Sequence, residues 1–306
     1  MIKYLGSKRT LVPVLGTIAT AAEARTAVDL FTGTTRVAQE FKRRGVHVHA
    51  NDLATYALVL AQCFIATDAE AIDLATLTAA VTELNQVPGK PGYVARTFGE
   101  EARFIHPTNG ARIDAIRDAI EERYAGTWVY PLLLTSLLLA ADRVESTTGV
   151  QMAYLKDWAP RALNPLELRI PHLIPGAGVA SCSDARTLAE QLPATDLMYL
   201  DPPYNQHRYF TNYHVWETLI RWDAPEAYGV ARKRIDARAA TSRSRYNSKR
   251  EMPDELRRLL QTVTAQLVVV SYNNEAWVEP AQMMQDLRAC GFPDVRLLAF
   301  DEMQIT

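Results

Sequence analysis

Asp201-Pro202-Pro203-Tyr204 follow directly on an apolar run ending Leu197-Met198-Tyr199-Leu200, so a carboxylate, two rigid carbonyls and an aromatic ring stand where a buried strand opens onto a sheet edge. Neither proline has an N–H and both have a fixed φ, so Pro202 and Pro203 take the chain out of the sheet as a stiff loop that aims the Asp201 carboxylate. Such a tetrad suits chemistry on a planar amine. The amine of adenine is a poor nucleophile because its lone pair is delocalised into the ring. With Asp201 accepting one N–H and the Pro202 carbonyl the other, the nitrogen is drawn towards tetrahedral geometry and towards attack on an electrophilic methyl group held in line. Tyr204 is placed to stack on the base face. The plain alternative for the same four residues is a turn with a helix-capping Asp.

The elements that must position this loop are readable further back in the chain. Ala27-Val28-Asp29-Leu30-Phe31 reads as a short strand, Thr32-Gly33-Thr34 as a tight turn, and Thr35 to Arg44 as an amphipathic helix with Val37, Ala38 and Phe41 inward and Gly45 closing it. Val46 to Ala50 is a second strand, ended by Asn51-Asp52 before a helix from Ala54 to Ala66. Asp52 lies nineteen residues after Gly33, the spacing at which an acidic residue at the tip of a second strand reaches the ribose hydroxyls of a nucleoside held over the first turn. Gly33-Thr34-Thr35 lacks the later glycines of a dinucleotide fingerprint, which favours a nucleoside without phosphates, such as S-adenosylmethionine, over a dinucleotide. The same pattern also suits a strand-turn-helix with a capping Asp and no ligand.

Between Asp68 and Ser181 the pattern turns helical, with Ile72 to Leu84, Ala111 to Tyr124 and Tyr130 to Val144, and it reads as an insert. Asp114, Arg117 and Asp118 give the middle helix a charged face, expected to be solvated. The α/β pattern resumes at Val179 to Cys182. Asp184 then enters a helix as an N-cap or as a second polar contact to the adenosine. Past the tetrad come a helix near Asp254 to Thr264, a strand over Leu267 to Ser271, a helix near Ala281 to Ala289 and a last strand over Val295 to Phe300. Six strands in all alternate with helices as a doubly wound α/β sheet.

Arg232, Lys233, Arg234, Arg238, Arg243, Arg245, Lys249 and Arg250 crowd the segment between 232 and 250 against one acid, Asp236, although the whole chain carries a formal charge of −2. Ser242, Ser244, Tyr246, Asn247 and Ser248 interleave with them as neutral donors, so the segment reads as a phosphate-contacting patch or as a solvated loop. At 306 residues, 48% apolar and 22% charged, the chain is an ordinary globular protein with a sizeable core. The apolar run Val129 to Ala141 is too short to span a bilayer, and no N-terminal signal precedes it, which points to the cytoplasm. Cys63, Cys182 and Cys290 have neither disulfide nor zinc spacing, so no metal is expected.

In their order along the chain these segments resemble the Dam-like (alpha group) N6-adenine DNA methyltransferases of the DPPY class. Lys3-Tyr4-Leu5-Gly6-Ser7-Lys8 is similar to the family's K-[WY]-x-G-[GS]-K segment, which implies cofactor contacts from Tyr4 and Lys8. Asp29-Leu30-Phe31-Thr32-Gly33 resembles its D-x-F-x-G cofactor turn, implying the same role for Asp29, Phe31 and Gly33, with Thr35 where a glycine or serine is more usual. Asp52 matches the ribose-binding acid, Ser183-Asp184-Ala185 resembles the segment upstream of the tetrad, and Asp201 to Tyr204 is the tetrad, Asp201 facing cofactor and amine alike.

The resemblance implies a Rossmann-like, S-adenosylmethionine-dependent domain formed by 1–67 and 182–306, with 68–181 as a helical target-recognition insert. It implies methyl transfer to N6 of an adenine flipped out of double-stranded DNA, by an orphan methylase or one paired with a cognate restriction endonuclease. Members commonly carry a further strand and hairpin beyond the equivalent of Leu297 to Phe300, whereas this chain stops at Thr306, so either the chain is truncated or its sheet edge is completed differently. The rival readings are a DNA-binding protein that has lost catalysis, and a methyltransferase acting on RNA adenine, cytosine N4 or a protein glutamine. Asp in the first tetrad position favours adenine over the last two. The missing glycines disfavour a nicotinamide dehydrogenase.

Overall fold

The computed structural model describes residue 8 and residues 10–152, 156–203, 209–239, 244–272 and 277–300. After α1 (Val12–Ala21), the chain alternates β1 (Thr26–Asp29), α2 (Arg36–Arg43), β2 (His47–Asn51) and α3 (Thr55–Ala61), the last running into a π-helical turn at Gln62–Ala66. Three longer helices follow, α4 (Leu74–Gln86), α5 (Pro107–Tyr124) and α6 (Tyr130–Arg143), before β3 (Val179–Ser181), α7 (Ala185–Gln191) and β4 (Thr195–Leu200). Next come α8 (Tyr209–Asn212), α9 (His214–Arg221) and an antiparallel hairpin of β5 (Ala227–Tyr228) and β6 (Lys233–Arg234). The remaining described elements are α10 (Met252–Thr262), β7 (Ala265–Val270) and α11 (Pro280–Ala289).

The main sheet is parallel throughout, in the order β3-β2-β1-β4-β7. Both faces of β4 are buried, and its side chains alternate between two apolar clusters as the period of two demands. Leu197 and Tyr199 pack with Val37, Phe41 and the helices between 74 and 143. Met198 and Leu200 pack with Leu188, Leu256 and Leu259 on the opposite face. Strand order reverses between β1 and β4, so the crevice above their carboxyl ends is where a doubly wound sheet takes its ligand.

Two expectations are corrected. The Val295 to Phe300 run makes no strand: Leu297, Leu298 and Phe300 are 61%, 60% and 53% exposed, and among the described residues β7 pairs only with β4 and the main sheet has five strands rather than six. An apolar run with no neighbour to share its backbone hydrogen bonds gains nothing by forming a ladder. The charged face of α5 is solvated only in part: Asp118, Glu121, Glu122 and Arg123 are exposed, whereas Asp114 and Arg117 are not. Asp114 is buried and accepts the N–H groups of Gly92, Val94 and Ala95 at 2.8 to 2.9 Å. Buried Arg117 donates to the carbonyls of Leu219 and Ile220 at 2.8 and 3.0 Å, capping the end of α9. The charges of α5 thus fasten the helical segment to the helix that runs beside the crevice.

Candidate active site

Strand register brings the two key carboxylates together. Asp29 ends β1 and pairs with Tyr199 of β4, so Asp201, two residues on, emerges at the same crevice. The crevice is a cavity of about 790 Å³, inside the range of about 300–1,000 Å³ usual for ligand clefts. Of the residues singled out from the sequence, Lys8, Asp29, Phe31, Gly33, Asp52, Asp184, Asp201 and Pro203 line it, as does Arg245. Pro202 is buried beside them. Tyr4, Tyr204 and Arg243 lie outside the described residues.

Each carboxyl group sits in a different environment. Asp52 accepts the Gly33 N–H at 2.8 Å and the Ala54 N–H at 3.0 Å, so it ties the turn after β1 to the start of α3. Gly33 has φ +49°, and the neighbouring Thr35 is held in the same left-handed region at φ +64°, a strained conformation for a β-branched residue. The Thr35 hydroxyl offsets this locally, donating to the Thr34 carbonyl at 2.7 Å and accepting from Gln39 at 2.8 Å. Asp184 caps α7 through the Thr187 N–H at 3.0 Å, as one of its two expected roles requires, and it also lines the cavity.

Asp201 is paired with the Lys8 ammonium at 2.9 Å. Burial raises its pKa, and Lys8 opposes that rise. Asp29 is 1% exposed; its Oδ2 accepts from the Thr32 hydroxyl at 2.9 Å, while its Oδ1 has no hydrogen-bond partner among the described residues. Burial pushes the Asp29 carboxyl up to about 8, and the Asp201 and Asp52 carboxylates add to the rise. The crevice therefore has an unmet demand for a positively charged, hydrogen-bonding group.

Residues to which the sequence reading gave no place at the crevice complete the site. Buried Asn51 donates to the carbonyls of Leu30 and Ser183 at 3.2 and 3.0 Å and accepts the Ser183 N–H at 3.0 Å, fixing the strand end that carries Asp184 against the turn that carries Phe31. Buried Glu217 of α9 accepts the Thr55 N–H at 3.0 Å and pairs with Arg221 at 2.9 Å. Arg221 in turn lies over the Phe210 ring at 5.6 Å, beside the cavity. Tyr246 packs edge-on against Phe31 with ring centroids 5.4 Å apart. No local pattern marks Asn51, Glu217 or Tyr246, because each has a partner more than twenty residues away in the chain, in Ser183, Thr55 and Phe31.

The basic segment divides into two groups. Arg234 points inward, 2% exposed, and is clamped by Asp223 and Asp236 at 2.6 and 2.9 Å, so its guanidinium is not offered to phosphate as expected. A cation held between two carboxylates is neutralised in place, and here it fastens β6 to the end of α9. Arg232 pairs with Glu101 at 2.9 Å, and Arg238 stacks on Tyr228 at 3.9 Å. Lys233 lies on β6; Arg245 is 60% exposed although paired with Glu255 at 3.3 Å, and Lys249 and Arg250 are exposed. Among the described residues no helix is long and apolar enough to cross a membrane and no cluster of three or more His, Cys, Asp or Glu residues could hold a metal ion.

Comparison with known proteins gives the family. The family model for the D12 class N6 adenine-specific DNA methyltransferases matches residues 4–284. The chain is 31% identical to the type II methyltransferase M.NlaIII of Neisseria lactamica over 96% of its own length and 90% of that protein's. It is 28% identical to the modification methylase StsI of Streptococcus sanguinis and 26% to the type II methyltransferase M.FokI of Planomicrobium okeanokoites, spanning 49% and 48% of those longer proteins.

Proposed function

The chain belongs to the D12 class of N6 adenine-specific DNA methyltransferases, and from that premise we propose that it moves a methyl group from S-adenosylmethionine to N6 of an adenine rotated out of duplex DNA, at the cavity between Asp29, Asp52 and Asp201. The carrying observation is the buried Asp29 oxygen without a hydrogen-bond partner among the described residues, in a crevice that it shares with the Asp52 and Asp201 carboxyl groups. A ligand bearing an ammonium and a sulfonium meets that demand. Bound there, S-adenosylmethionine supplies an electrophilic methyl group.

The chain's own residues would then do the following. Asp29 takes the ligand's ammonium, Asp52 the ribose hydroxyls and Asp184 the adenine. The Asp201 carboxylate, whose charge the Lys8 ammonium favours against burial, accepts one N–H of the target amine and the Pro202 carbonyl the other, localising the nitrogen lone pair. Tyr204 stacks on the base. Arg245, Lys249 and Arg250, with Arg243, grip phosphates around the site. Residues 68–181 read the target sequence as an insert in the catalytic domain. The curated relatives are type II methyltransferases and modification methylases by name, which supports a cognate restriction endonuclease as partner, and we place the action in the cytoplasm.

Cofactor binding should be pH-dependent, with a definite sign. In the ligand-free protein the Asp29 carboxyl titrates near 8, above its ordinary 3.8, so its protonated form stabilises the fold at low pH and that contribution is lost as pH rises through about 8. Accepting an ammonium requires the carboxylate, so binding below pH 8 expels a proton. The apparent affinity should therefore rise by up to about tenfold per pH unit between 6 and 8, then fall as the α-amino group, of pKa about 8, loses its own proton. Calorimetry at pH 6.5 in two buffers of different ionisation enthalpy measures the proton release directly. Release approaching one proton in the wild type and none in Asp29→Asn is expected. Binding that is independent of pH and buffer contradicts the assignment.

A further inference from the structure

The feature left over by the reading above is a single hydroxyl in the basic segment. Tyr246 is 6% exposed, its ring packs edge-on against Phe31 at 5.4 Å, and it lines the same cavity as Asp52, Asp184 and Asp201. Its hydroxyl is buried and has no hydrogen-bond partner among the described residues. A buried phenol without a partner is costly, and native structures place one where a ligand or a water completes it. Burial, with the nearby Glu255 and Asp184 carboxylates, pushes its ionisation upward, so it remains a phenol able to donate. The backbone around it is well defined: Arg245–Asn247 form a 3₁₀ turn, and the Ser244 hydroxyl accepts the Tyr246 N–H at 3.2 Å.

We propose that Tyr246 is a cofactor-binding residue whose hydroxyl hydrogen-bonds the adenosine of S-adenosylmethionine, and that it couples cofactor binding to DNA binding. The coupling is a matter of chain connectivity. Arg245, Lys249 and Arg250 lie within four residues of Tyr246, on the same stretch of backbone; Lys249 and Arg250 are exposed, and Arg245, 60% exposed, lines the cavity beside Glu255. A ligand that fixes the Tyr246 ring beside Phe31 also fixes the segment that presents these cations to phosphate. By thermodynamic reciprocity, DNA held by that segment must tighten cofactor binding by the same factor. The inference rests on the reading that S-adenosylmethionine occupies this cavity.

Tyr246→Phe tests it, because the ring and its packing are kept and only the hydroxyl is removed. Three quantities are read on the full chain: the melting temperature without ligand, the affinity for S-adenosylhomocysteine by calorimetry, and the affinity for duplex DNA with and without S-adenosylhomocysteine. The expected pattern is a ligand-free melting temperature equal to or above that of the wild type, since an unsatisfied buried group is gone. S-adenosylhomocysteine should bind about threefold to tenfold more weakly, the value of one hydrogen bond. The factor by which it tightens DNA binding should shrink. A purely structural tyrosine would instead lower melting temperature and affinity together. S-adenosylhomocysteine binding within twofold of wild type overturns the assigned contact, and unchanged tightening of DNA binding overturns the coupling. A wild-type protein that binds neither S-adenosylmethionine nor S-adenosylhomocysteine overturns the cofactor reading beneath both.

Discussion

Asp201→Asn should leave a folded protein that still binds S-adenosylmethionine and transfers its methyl group to DNA at least on the order of 10³-fold more slowly. The substitution keeps the shape of the side chain and removes what the chemistry needs. A carboxylate has only acceptors to offer the target amine, whereas the amide of asparagine either turns its own N–H groups on that amine or presents one neutral oxygen. The Lys8 ammonium, now 2.9 Å from a carboxylate oxygen, would lose its counter-charge and no longer reinforce the acceptor. Stability should change little, because burial already works against the Asp201 charge. Thermal melting, calorimetry with the cofactor and a methyl-transfer assay on the same preparation separate these effects. Turnover near the wild-type rate would remove Asp201 from the mechanism.

Arg234→Met carries the largest expected effect on stability, about 3 kcal/mol or more. The guanidinium meets Asp223 through two parallel bonds at 2.7 and 2.6 Å, Asp236 through a third at 2.9 Å and the Thr218 hydroxyl at 3.2 Å. Removing one partner from such a buried cluster costs about 3–5 kcal/mol, because the charges left behind have lost their compensation. Asp223 and Asp236 are 41% and 36% exposed, so water recovers part of the loss and the lower end applies. Urea unfolding measures this directly. Lys249→Ala and Arg250→Ala are the controls: each should leave stability unchanged and flatten the dependence of log K for DNA on log salt by about 0.9, as losing one phosphate contact does. Arg234→Met should leave that slope unaltered. A flattened slope with unchanged stability would mean that Arg234 faces phosphate after all.

Several parts of the site were readable from local pattern. Asp29, Gly33 and Asp52 stand at the ends of short apolar runs, and strand ends in a parallel sheet converge on one crevice, so their spacing alone places them together. Asp201 follows the apolar, buried end of β4 and was readable for the same reason. The orientation of the basic residues was not. Arg232, Arg234 and Arg238 look like Lys249 and Arg250 in sequence, but Glu101, Asp223 and Tyr228 reach them only once the hairpin of β5 and β6 is formed. The missing sixth strand has the same origin. Val295 to Phe300 has the apolar character of a strand, but a strand also requires a neighbour, and that depends on the whole sheet rather than on the run. Tyr246 sits among polar residues in sequence, and its burial and packing on Phe31, which distinguish it, depend on a residue more than two hundred positions earlier.

The central claim is methyl transfer to adenine N6, and the most direct measurement is incubation of the protein with tritiated S-adenosylmethionine and unmethylated duplex DNA, followed by digestion and separation of the nucleosides. The predicted result is label in N6-methyladenine, at a sequence context that can then be mapped, and none in the Asp201→Asn variant. Label in another nucleoside, or no label from a protein that binds both cofactor and DNA, would contradict it.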